Sequence, residues 1–247
     1  MEAYVERAIQ LGLQEVGFSD HNPLPDGRSS NVRMAEAELD YYVERVTELH
    51  YRYRGKIDVM LGLELDYLEG LEDYLQKQVA SYPWDYVIGS IHFLDNECRH
   101  GTWPRPYAGD PHELYARYFE LMRQMVRSGL CDIVAHFDVV KRSGIFPGVG
   151  EADDVTRTLQ EIKDRNVAVE INTSGYRHTE LPEPQPYPSF PIVEQALALE
   201  IPLMVNSDAH MPEQVGMQFG TVERFLNKKG CRELVKFEQR KRTAYSL

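Results

Sequence analysis

Three features of the sequence predict an α/β fold, either a (β/α) barrel or a doubly wound parallel sheet. About six short runs, apolar on both faces, alternate with helix-period segments, the pattern of a parallel sheet covered by helices. No linker or composition shift divides the 247 residues, a length that lone α/β barrels commonly fill. Hydrophobic residues form 43% of the chain, enough for a sizeable core and against global disorder.

The elements follow in order. Residues 2–12 place Tyr4, Val5, Ala8, Ile9 and Leu11 near one helical face, an amphipathic helix rather than a signal peptide. "EVGFSD" reads as the first short strand, and 34–52 as a long polar helix. Residues 57–66 read as a strand, 67–80 as a helix and 85–93 as a strand. The clearest helix spans 110–129: Asp110 suits the N-cap, Pro111 the first turn, Glu113 a capping box, and Gly129 the stop. Strands at 131–137, 167–172 and 202–208 alternate with helices at 152–165 and 191–199, and the tail 221–238 has a helical pattern. Two long loops, 95–109 and 182–191, each carry prolines.

Composition excludes some functions. A net charge of −12 leaves no broad basic surface for nucleic acid. A small anion can still bind where metals or a few cations invert the local field. Cys98, Cys131 and Cys231 are scattered, with no CxxC, so neither a disulfide framework nor a thiolate zinc site is readable, and a cytoplasmic location is expected. No apolar run approaches a membrane span. There is no GxSxG, Walker A or GxGxxG motif.

The candidate site lies at strand ends. His21, His92, His136 and His210 fall at or just past the C-terminal ends of strand-like runs; Glu64 and Asp208 close two others, and Glu170 lies within one. An α/β barrel gathers such ends at one rim. Imidazole nitrogen with carboxylate oxygen suits Zn²⁺, Mn²⁺ or Fe²⁺. Asp208 and His210, two apart in an extended chain, would point to the same side. Glu170 reads as structural, or as orienting a ligand or a substrate amine. His50, His100 and His112 read as surface residues, and His178 is left open.

The stretches "GFSDHNPLP", "GLELDY", "GSIHF", "VAHFDVVKR", "EINTSG" and "NSDAH", in this order over nearly the whole chain, resemble the histidinol-phosphatases of the polymerase-and-histidinol-phosphatase (PHP) superfamily. The tail "KFEQRKRTAYSL" is also similar. The resemblance implies a distorted (β/α)7 barrel in one phosphoesterase domain, 1–247, holding two or three divalent metal ions (Zn, Mn or Fe). His21, Glu64, His92, His136, Asp208 and His210 would be the ligands. Glu64 would bridge, with His92 and His136 on one of its ions and Asp208 completing the other; His21 and His210 would hold a third. The implied reaction is hydrolysis of L-histidinol phosphate to L-histidinol and phosphate by metal-activated hydroxide. Cations should then face the phosphate, and Lys141, Arg177 and Arg105 are the candidates.

One departure shapes the expectation. The family opens with a strand ending in an H-x-H pair; this sequence starts at Met1, inside what should be the first helix, and contains no H-x-H. A barrel lacking its first strand, truncated at the N-terminus relative to the family, is therefore expected, with fewer metals and reduced activity. Alternatives are a phosphoesterase for nucleotide or sugar phosphates and a catalytically impaired, ligand-binding barrel. The oligomeric state is not legible.

Overall fold

A computed structural model describes the chain except residues 29–30, 99–100, 102–109, 145–148 and 179–182, and the side chains of 149–151. Six parallel strands form one curled sheet in sequence order: β1 (Glu15–Phe18), β2 (Asp58–Asp66), β3 (Tyr86–Ser90), β4 (Ile133–Val134), β5 (Ala168–Asn172) and β6 (Leu203–Asn206). Around it lie α1 (Glu2–Gln10), α2 (Leu39–Arg52), α3 (Glu72–Ser81), α4 (Pro111–Ser128), α5 (Val149–Asp164), α6 (Phe190–Ala198) and α7 (Phe219–Lys228). This is the expected α/β barrel architecture, six parallel strands among the described residues curling into a half-barrel.

Strand period two sorts the side chains. On β2, Val59, Leu61, Leu63 and Leu65 join the main core. Met60 faces the barrel interior with Tyr86, Ile88, Ile133 and Ala168. The same parity turns Glu64 and Asp66 inward above Met60. Inside, the Tyr86 ring lies across Gly17 and Gly62, where a Cβ would overlap it, and its hydroxyl donates to the Phe18 carbonyl at 3.2 Å. The largest helix, α4, packs Tyr118 and Phe119 edge to face at 5.2 Å, both fully buried. Burial of this kind contributes about 1.5–3 kcal/mol per large side chain. Arg123 of α4 is buried against α5, donating to Asp154 and Thr158.

Helix α4 starts and stops as predicted. The Asp110 side chain accepts from the His112 N–H, Pro111 opens the first turn, and Gly129 ends the helix at φ 70°. Three predicted elements are corrected. The tail is helical only to Lys228; β7 (Glu233–Glu238) and β8 (Lys241–Ser246) follow as an antiparallel hairpin. Its two-residue turn puts Gln239 and Arg240 at φ 50° and 60° without the glycine or asparagine that usually signals it. Helix α3 begins at Glu72, not 67. The strand read over 131–137 shrinks to two residues.

The hairpin plugs the end of the sheet where the strands begin. Arg240 pairs with Asp132 through Nε at 2.9 Å and Nη2 at 3.0 Å, and its backbone N–H donates to the Asp85 carbonyl at 2.8 Å. Val235 and Phe237 fill the interior against Met60 and Tyr86. A cavity of about 880 Å³ rises from this floor to the opposite rim, where the strands end.

Candidate active site

Each imidazole reaches the rim by its own local device. His21 follows β1 and continues the parallel pairing: Glu64 N donates to the Asp20 carbonyl at 3.0 Å, and Asn22 N to the Glu64 carbonyl at 2.9 Å. His92 stands two residues past β3, in the inward register of Ile88 and Ser90. His136 stands one position off the inward register of Ile133 and Ala135. An unbroken strand over 131–137 would send it toward the helices; because β4 stops at Val134, the chain turns it inward. The Glu170 carboxylate secures it by accepting the His136 backbone N–H at 2.8 Å.

Glu64 Oε1 lies 3.3 Å from His136 Nε2 and 3.6 Å from His92 Nε2, and the two nitrogens are 3.1 Å apart. Tetrahedral ligands about 2.1 Å from one zinc ion are separated by about 3.4 Å. The three donor atoms already stand at that spacing. They are borderline N/O donors with no thiolate, the set suited to Zn²⁺, Mn²⁺ or Fe²⁺. His21 and His92 form a second group around Asp66.

Electrostatics concentrates charge here. Burial pushes the Glu64 carboxyl up, but His21, His136 and His92 together bring it down to about 2. Burial pushes His21 down, yet Glu64 and Asp66 outweigh it and raise the imidazole to about 10. His136 is raised the same way, by Glu64 against burial. Asp66, despite burial, is held well below the usual carboxylate range by His92 and His21. Burial raises Glu170 and Asp20.

A consequence is measurable. A cation binds neutral imidazole, so a ligand raised to about 10 must shed a proton first, whereas Glu64, already ionised, sheds none. Zinc binding at pH 7.5 is expected to release protons, and affinity to strengthen as pH rises toward 10. Calorimetry in buffers of different ionisation enthalpy reads the count; no release would contradict protonated ligands in the metal-free protein.

A family model described as PHP domain matches residues 1–174. The chain belongs to the PHP domain family. A Deinococcus radiodurans protein named "Probable histidinol-phosphatase" is 32% identical over 96% of this chain and 90% of its own length. The Bacillus subtilis protein named histidinol-phosphatase is 27% identical over 92% of each. Among solved structures, a Lactococcus lactis histidinol phosphate phosphatase complexed with zinc, L-histidinol and phosphate has a TM-score of 0.81 at 19% identity, covering 98% of this chain and 92% of that one.

Of the residues singled out in the sequence, the PHP domain brings His21, Glu64, His92 and His136 into one cluster. Asp208 and His210 stand on the same cavity but in neither donor group found among the described residues. The extended-chain reading of this pair is corrected: β6 ends at Asn206 and Asp208 takes φ 45°, so the chain turns. His210 is 72% exposed, with Nδ1 3.5 Å from Asp208 Oδ1. Asn172 ties Asp208 to the buried side, donating to Asp208 at 3.2 Å and Glu170 at 3.0 Å.

The three candidate cations differ. Arg177 is half-buried and clamps the Asp208 turn, donating to the Ser207 and Asp208 carbonyls at 2.8 and 2.5 Å. Lys141 is buried, bonded to Asp138 at 3.0 Å and the Pro186 carbonyl at 2.9 Å, over the Tyr187 ring. Arg105 lies outside the described residues. Sequence reasoning missed Asp66 and its partner Arg33. Asp66 was within reach, two places past Glu64 on the same strand face; Arg33 comes from a loop with no periodic signal.

Proposed function

We propose that this PHP domain is a metal-dependent phosphomonoester hydrolase of the histidinol-phosphatase type, converting L-histidinol phosphate and water to L-histidinol and phosphate. The observation that carries it is the ligand-like spacing of Glu64, His92 and His136, with Glu64 and His136 lining a large cavity. The histidinol-phosphatase names of the D. radiodurans and B. subtilis proteins, together matching nearly the full chain, supply the substrate class.

Bound cations supply Lewis acidity toward the phosphate oxygens and a hydroxide nucleophile near neutral pH. The chain does the rest. Glu64, His92 and His136 would hold one ion; Asp208, with Glu64, would hold a second; His21 and His210 would hold a third. Zinc is the leading metal, with Mn²⁺ and Fe²⁺ compatible with the same donors. Arg177, rather than the buried Lys141, is the cation we set opposite the phosphate. Glu170 and Asn172 keep His136 and Asp208 facing the cavity. Residues 1–247 act as one domain. A cytoplasmic location belongs to this reading, supported by three scattered cysteines with no CxxC; among the described residues no helix is long and apolar enough to cross a membrane.

The test is phosphate release by zinc- or manganese-loaded protein from histidinol phosphate beside a panel of nucleotide and sugar phosphates. Preference for histidinol phosphate, loss on chelation and recovery on adding metal back are expected. Faster turnover of a nucleotide or sugar phosphate would move the substrate elsewhere in the superfamily. No turnover of any ester by metal-loaded protein would leave a ligand-binding barrel.

A further inference from the structure

Asp66 is buried, its side chain only 1% exposed, and both its oxygens are engaged. Oδ1 faces His92 Nδ1 in a short contact, with Ser90 Oγ at 3.4 Å. Oδ2 lies 3.0 Å from His21 Nδ1 and 2.8 Å from Arg33 Nη1. The Asp66 backbone N–H donates to Asn22 Oδ1 at 2.8 Å. Arg33 is itself fixed, 2% exposed and donating to the Asn22 carbonyl at 3.0 Å.

We propose that Asp66 is a positioning residue that fixes which ring nitrogen His92 presents to the metal, and holds His21 beside it. The proposal rests on the metal reading above. A neutral imidazole carries one N–H and one lone pair. An Nδ1–H bonded to Asp66 leaves the lone pair on Nε2, the atom that stands 3.6 Å from Glu64 Oε1 and 3.1 Å from His136 Nε2. A carboxylate behind a ligating histidine orients the ring and strengthens it as a donor. His21 Nδ1 stands 3.0 Å from Oδ2, close but off the hydrogen-bond direction. The two rings meet edge to face, centroids 4.9 Å apart, so one carboxylate orders both.

The competing arrangement is an ion held by Asp66 itself with His21 and His92, whose donor atoms lie within 4.8 Å of one another. Arg33 argues against it. Its buried guanidinium already neutralises Oδ2 at 2.8 Å, and a divalent cation on the same carboxylate would sit against a fixed positive charge with little water to screen it.

Two measurements on the full chain test this. Histidine-selective ¹⁵N NMR of the wild-type protein, with the His92 signals assigned by their loss in His92→Gln, should show Nδ1 protonated and Nε2 unprotonated, both without metal and with zinc. Because Asp66→Asn alone strands a buried Arg33, the variant is Asp66→Asn with Arg33→Met. Its zinc affinity should fall about 10- to 100-fold, with mixed His92 tautomers. An Nε2–H tautomer in the wild type, or unchanged zinc affinity in a folded double variant, overturns the proposal. If the double variant does not fold, the wild-type tautomer decides. Failure of the wild type to bind zinc would instead refute the metal reading, and the metal-free tautomer would still judge Asp66.

Discussion

Glu64→Ala should abolish phosphate release from histidinol phosphate, lowering kcat/KM by about a thousandfold or more. Glu64 is the carboxylate beside both His92 and His136, at 3.6 and 3.3 Å, and it lies 3.9 Å from His21. Without it no carboxylate remains beside His92 Nε2 and His136 Nε2, a poor site for a divalent cation. Metal catalysis supplies several kcal/mol of charge stabilisation, and about 4 kcal/mol corresponds to a factor of about a thousand. The fold should survive, because Leu63 and Leu65 pack β2 from its other face. Glu64→Gln keeps the shape and removes the charge, so it should also fold and lose metal. Steady-state kinetics with metal analysis of both variants checks this, and turnover within tenfold of the parent would remove Glu64 from the mechanism.

Lys141→Met should instead strike stability. Its ammonium is the partner of Asp138, whose carboxylate also accepts the Ser189 backbone N–H at 3.0 Å and so ties the segment before α6 to the chain after β4. Burial pulls the lysine down and Asp138 only partly restores it, as befits an ion pair inside the protein. Removing one partner of a buried pair costs about 3–5 kcal/mol, because the other charge stays buried without compensation. Urea denaturation should report that loss, with KM for histidinol phosphate nearly unchanged in the folded protein. Wild-type stability with a strongly raised KM would return Lys141 to the phosphate.

The two variants mark where sequence reading succeeded and where it did not. Strand ends were legible because apolar runs stop abruptly, and three histidines at those stops, 21, 92 and 136, do converge. Their inward direction was less legible: His136 turns in because β4 is only two residues long, and hydrogen bonding across the sheet sets that length rather than local pattern. Lys141 looked catalytic because a cation after a strand end has two uses, and only packing against Pro186 and Tyr187 chooses between them. Asp208 and His210 carried a motif but not their geometry, since one positive φ replaces an extended strand with a turn. The terminal hairpin escaped because "ELVKFE" follows a helical pattern and its turn is made by Gln239 and Arg240.

The central claim is that Glu64, His92 and His136 share one cation. Anomalous diffraction at the zinc edge from crystals grown with zinc tests it most directly. The account predicts a peak with Glu64 Oε1, His92 Nε2 and His136 Nε2 each about 2.0–2.2 Å away. Zinc bound only elsewhere, or a peak ligated through His92 Nδ1 and Asp66, would contradict it.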